Sequence, residues 1–157
     1  MSIINFLKRY KVLFIILFVA SILRLWNLES FPPHLRNDEA SLGYNAYSVL
    51  NTGKDEHGEF LPIIFQSFGD WKMGLYVYLT IPFIAIFGLS ELAVRLPSAL
   101  AGIAAVFFMY GVSLELFQKK RIAYIASFLL AISPIMVPFS RGAWEVNVSF
   151  TLTLAGI

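Results

Sequence analysis

"ELAVRLPSALAGIAAVFFMYGVSLELFQKKR", residues 91–121, decides how the rest of the chain is threaded. Its apolar part, 96–117, is long enough for a helix that crosses a bilayer, which takes about 20 apolar residues. The stretch ends on Lys119, Lys120 and Arg121, the strongest basic signal in the chain. Basic loops tend to stay cytoplasmic, so this cluster orients the neighbouring segments. Upstream, residues 1–11 hold Lys8, Arg9 and Lys11 and no acid, and the same tendency places them inside. A span over 10–28 then runs outward, with Tyr10 and Trp26 as interface anchors and Arg24 snorkelling to the outer end. Parity now constrains 73–89, an apolar run that is short for a crossing and interrupted by Pro82. If it crosses, the basic cluster falls outside. If it lies at the outer interface or re-enters, the cluster falls inside. The second topology is preferred, with 92–117 inward, 118–121 as the basic loop, 122–140 outward, and 146–157 the start of a further, truncated span.

Composition agrees with a chain in lipid. Hydrophobic residues make up 58% and charged residues 14%, against about 25% charged in ordinary soluble domains. Mean hydropathy is +0.72. The net charge of +2 is too small, and its bases too scattered, to point to nucleic acid. With no cysteine and two histidines, neither a disulfide framework nor a protein-built zinc site is expected. "EVNVSFTLTLAGI" stops inside a helical pattern, so the chain is expected to be the N-terminal part of a longer polytopic protein.

The first outer loop is expected over 29–91, and its long polar segment, 29–72, holds seven of the ten acids, from Glu29 to Asp70. "FPPHLRNDEASLGYNAYSVLNTG" (31–53) contains a turn at its prolines, then a short helix over 38–50. Asn37 or Asp38 can cap it, Glu39 suits its first turn, and "NTG" ends it. Leu42, Ala46 and Val49 share one side. The plain reading of Asp38 and Glu39 is a helix start. The functional one is a carboxylate acting as a general base, or holding a metal. Neighbours on a helix point about 100° apart, so the two acids seldom share one task.

Four more charges carry chemical alternatives. Lys72, in "GDWK", either snorkels or pairs with a lipid phosphate. Arg95 lies among apolar residues and needs a partner, and Glu91 stands one turn away. Arg141 and Glu145, in "SPIMVPFSRGAWEVN", form either a helix-surface pair or part of a polar cleft with Asp38 and Lys72. Such a cleft suits an anionic lipid substrate, with cations on phosphate and a carboxylate taking a proton from a hydroxyl. A transporter or flippase for a lipid or glycan-related substrate is the main alternative, with Arg95 on its path.

In order and spacing, "LRLWNL", the 31–100 stretch and "LLAISPIMVPFSRGAWEVN" resemble the start of polytopic glycosyltransferases. The likeness is to the protein O-mannosyltransferase and aminoarabinose lipid A transferase superfamily, especially its bacterial glycosyltransferase family 39 members. It implies an all-α polytopic fold, the N-terminal part of a GT-C type helical bundle with short juxtamembrane helices in an extracytoplasmic first loop. It implies transfer of a sugar, with inversion, from a polyprenyl- or dolichyl-phosphate donor to a hydroxyl of a protein, lipid or glycan. The place implied is the extracytoplasmic face of the cell membrane, among membrane lipids. Asp38 and Glu39 match the family's acid pair, Asp38 as the base, and Lys72 and Arg141 match cations that face the lipid phosphate. Glu145 and Arg95 are supporting candidates. Where relatives carry Lys-Pro-Pro this chain has "KMG". No cofactor is specified and a divalent cation stays open. The chain alone is expected to be inactive, because much of the donor cavity would lie beyond residue 157.

Overall fold

In the computed structural model, residues 3–157 are described, with side chains from Tyr10 onward. The side chains of the basic N-terminus, 1–9, lie outside the described residues. Seven helices and one hairpin follow in order: α1 (Ile3–Leu25), α2 (Asn37–Thr52), β1 (Ile64–Ser67), β2 (Asp70–Met73), α3 (Leu75–Phe87), α4 (Glu91–Phe117), α5 (Lys120–Ala131), α6 (Met136–Arg141) and α7 (Glu145–Gly156).

The long helix α4 is the axis of the fold, touching α1, α2, α3, α5, α6 and α7. Its buried face is built from small residues, including Ala93, Ala99, Gly102 and Ala105, which let neighbouring backbones approach closely. At Gly102 a methyl group would meet Ser140 Cβ at 2.7 Å and Arg24 Nε at 2.9 Å. Hydrogen bonds fasten α7 to this helix: Asn147 Nδ2 donates to the Ser98 carbonyl at 2.7 Å, and Thr151 Oγ1 to that of Ala101 at 3.0 Å.

The main core lies where α2, β1, α3, α4 and α7 meet. Leu42, Ala46 and Val49 supply the α2 side, and Phe65, Tyr76, Val77, Val94 and Val148 complete it. Gly53 ends α2, its N–H bonded to the Val49 carbonyl at 2.9 Å. Two smaller apolar clusters join α1 to α4 and α5, around Ile16, Ala20 and Val106 and around Leu13, Tyr110 and Ala123.

The structure differs from the expected polytopic bundle. Among the described residues one helix, α4, is long and apolar enough to cross a membrane. Helix α3 has 13 residues, a rise of about 20 Å against a hydrocarbon core of about 30 Å. The segment 122–140, expected as one span, is two helices with a break at 132–135. Pro134 offers no N–H to continue the helix, and Ser133 Oγ accepts from the Met136 N–H at 3.3 Å to start α6. The multi-pass cell-membrane placement, with a cytoplasmic N-terminus and an extracytoplasmic site, falls with the polytopic bundle. The fold is also not all-α, because the first loop contains an antiparallel hairpin. Apolar composition counted the segments but did not show where helices break.

Candidate functional site: a polar cleft beside an apolar groove

Lys72 is positioned by the hairpin. Strand β1 buries Phe65 and Ser67 and exposes Ile64 and Gln66, the two-residue alternation of a half-buried strand. Lys72 is paired with Phe65 in the register and shares its buried face. Two loop residues, Phe68 at φ 48° and Gly69 at φ 80°, join the strands. Positive φ at both central positions is what a tight hairpin of type I′ requires. Asn or Gly is usual at the first of them, and the phenylalanine there hid the turn from sequence reasoning.

Helix α2 presents Asp38 from its first turn. Lys72 Nζ lies 2.5 Å from Asp38 Oδ1. The lysine side chain is 9% exposed and the aspartate 64%, so the cation is held inside while the carboxylate faces the opening. The pair lines a cleft of about 220 Å³ with Asp70, Trp71, Trp144 and Glu145. Asp70 and Trp144 were not singled out from sequence. The "DWK" alternation and the aromatic just before Glu145 were the available signals.

Glu145 is the first residue of α7. Its Oε1 is buried and has no hydrogen-bond partner among the described residues. Burial pushes the carboxyl above its ordinary range. Lys72 pulls it back down, and Asp38 and Asp70 push it up. Glu145 and Val146 also line an apolar groove of about 280 Å³ with Met73, Leu75, Tyr76 and Val148. Polar cleft and apolar groove therefore share a wall.

The other sequence-predicted residues are placed elsewhere. Glu39 is buried and accepts from the Arg36 N–H at 3.0 Å, from the Ala143 N–H at 2.8 Å and from Arg95 Nε at 3.4 Å. It ties the start of α2 to the residues just before Glu145, and so sets the distance across the cleft. Arg95 is fully buried. It donates to the carbonyls of Leu28 (3.1 Å), Pro32 (2.9 Å) and His34 (2.8 Å), and pairs with Glu91 at 3.2 Å. Arg141 donates to the carbonyls of Leu23 at 3.0 Å and Phe31 at 2.6 Å, so it serves the end of α1 and does not line the cleft. Desolvation, then the nearby charge of Arg95, lowers its pKa. Arg24 is buried, in place of the expected snorkelling, and donates to the carbonyls of Leu130 (3.2 Å) and Ala131 (2.9 Å) at the end of α5. Cations are favourable at helix C-termini, where carbonyls lack intrahelical partners.

Among the described residues no group of three or more His, Asp or Glu side chains is arranged to hold a metal ion.

Residues 75–157, just over half of the chain, match the family described as dolichyl-phosphate-mannose-protein mannosyltransferase. The chain belongs to that family. The matched region includes Arg95, Arg141 and Glu145, and leaves out Asp38, Glu39 and Lys72. Membership in the mannosyltransferase family relates the chain, distantly, to sugar transfer. No curated protein and no solved structure matches it.

Proposed function

We propose that this chain carries part of the donor and catalytic site of a glycosyltransferase, one that moves a sugar from a polyprenyl- or dolichyl-phosphate to an acceptor hydroxyl. The observation that carries this reading is the Asp38–Lys72 pair, placed in a polar cleft that shares a wall with an apolar groove. A lipid-linked sugar phosphate needs this combination: a cation for the phosphate, a carboxylate for the proton, and an apolar wall for the first lipid units. The family relation points the same way.

In the proposed reaction the donor phosphate draws the Lys72 ammonium from Asp38 and leaves that carboxylate free. The acceptor oxygen attacks the anomeric carbon and gives its proton to Asp38. The bond from that carbon to the phosphate oxygen breaks, and the electron pair stays on the phosphate, held by Lys72. One displacement inverts the configuration. Lys72 acts electrostatically on the charge that grows on the leaving group. Glu39 and Arg95 act through position, and Arg141 braces the end of α1.

The test is Asp38→Asn in the full-length protein, assayed for transfer from a polyprenyl-phosphate sugar. A general base contributes about 10²–10⁴-fold, and a loss of that size with unchanged thermal stability is the expected result. Transfer at the wild-type rate overturns the assignment.

A further inference from the structure

Each charged side chain of the cleft has a partner except one. Asp38 has Lys72, and Asp70 Oδ1 accepts from the Trp71 N–H at 2.8 Å. Glu145 Oε1 is buried and unpartnered among the described residues. Buried polar atoms of folded proteins are nearly always hydrogen-bonded, so an orphan calls for a physical reason. The fold does not supply one. Lys72, the cation that lowers the Glu145 pKa, directs its ammonium to Asp38. Helix α7 is held to α4 through Asn147 and Thr151, further along, and no hydrogen bond of Glu145 contributes.

The position narrows what the missing partner is. Glu145 stands where the polar cleft meets the apolar groove. An ionised carboxylate only accepts hydrogen bonds, and a protonated one still keeps an acceptor oxygen. A phosphate oxygen is drawn to the Lys72 ammonium, the strongest charge acting on Glu145, and is repelled by the Asp38 and Asp70 carboxylates and by an ionised Glu145 itself. The phosphate therefore belongs at Lys72, and the group that reaches Glu145 brings an O–H. On a sugar phosphate, the ring hydroxyls beside the phosphate are such donors.

We infer that Glu145 Oε1 is the docking point for a hydroxyl of the transferred sugar, which makes Glu145 a sugar-recognition residue distinct from the phosphate site at Lys72. The inference rests on the lipid-phosphate donor reading above. It explains why the oxygen has no partner among the described residues: an intramolecular partner would compete with the sugar. It also predicts an unusual separation, in which removing the carboxylate weakens binding and leaves the fold intact.

The experiment measures equilibrium binding by the full-length protein of bare polyprenyl phosphate and of polyprenyl phosphate bearing mannose, glucose or galactose. Glu145→Leu removes the acceptor at similar volume, and Glu145→Gln keeps a neutral one. In wild type, at least one sugar-bearing lipid is expected to bind tighter than bare lipid phosphate. Glu145→Leu is expected to erase that preference, a loss of about 10- to 100-fold, the worth of a hydrogen bond to a charged group. Glu145→Gln falls between, bare polyprenyl phosphate binds all three proteins equally, and the melting temperature does not fall. Equal weakening of bare and sugar-bearing lipid overturns the inference, as do unchanged binding of both, a lowered melting temperature, or a wild type with no preference for any sugar. The donor reading fails separately: wild type that does not bind bare polyprenyl phosphate sinks that reading and this inference together.

Discussion

Arg95 and Lys72 are both buried cations, and their surroundings teach opposite lessons. Arg95 donates to carbonyls at three points of the loop before α2 and also meets Glu39 and Glu91. Arg24 and Arg141 behave in the same way at the ends of α5 and α1. These guanidiniums are saturated by the fold, and they close chain ends that helix geometry leaves open. Lys72 has one carboxylate partner, Asp38, which is mostly exposed. Beside it stands Glu145 with a buried oxygen that has no partner among the described residues. The first region is built to stay as it is. The second holds interactions that a ligand can exchange or complete.

Substitutions in the two regions are therefore expected to separate stability from function. The largest stability effect is expected at Arg95→Met. It removes the cation that pairs with Glu39 and Glu91 and the donor to several carbonyls, and breaking a buried ion pair from one side costs about 3–5 kcal/mol. Chemical denaturation should show the loss, and a variant as stable as wild type would erase the contrast. Gly102→Val comes next. Its side chain must push into Ser140 and Arg24, and overpacking of this kind costs about 1–3 kcal/mol. A thermal melt that does not shift would mean that the α4–α6 contact can open to admit the side chain.

On the cleft side, changes that improve the fold should be available. Phe68 is exposed and sits at positive φ, where an ordinary residue pays about 1–2 kcal/mol and asparagine visits routinely. Phe68→Asn is expected to stabilise by up to about 1 kcal/mol and to leave transfer unchanged. A lower melting temperature would show that the Phe68 ring has a role of its own. The smallest effect is a pH slope. Burial raises the folded Glu145 pKa above the ordinary 4.5, so the folded state binds more protons in the window just above that value. Stability then falls as pH rises through it. Glu145→Gln removes this slope, and the gap in melting temperature, variant minus wild type, should widen from about pH 4 toward neutrality. A constant gap would place Glu145 in water.

The residues of the cleft were legible one at a time. Asp38 stood out as an acid at a helix start, Lys72 at the border of an apolar run, and Glu145 after two prolines and an arginine. Their grouping was legible as one of two alternatives, a polar cleft of Arg141 and Glu145 with Asp38 and Lys72, and the family resemblance added Glu39 to it. The Glu39 and Arg141 side chains point into the scaffold. Glu39 and Asp38 are adjacent, and the roughly 100° between neighbours on a helix sends one inward and the other to the cleft. The hairpin that aims Lys72 was hidden because its turn uses phenylalanine where asparagine is usual.

By itself, the sequence determined the helical character of the chain, a stop for α2 within "NTG", the one-turn spacing of Glu91 and Arg95 and the identity of the acids and cations, because these depend on local spacing. Only the tertiary structure decided that α4 alone among the described helices has the length and apolar character of a span, that 122–140 breaks in two, and which charges are consumed by carbonyls. Apolar runs look alike whether they face lipid or one another, and a carbonyl leaves no mark in a sequence. A charge reads as free until the fold shows which chain end it closes.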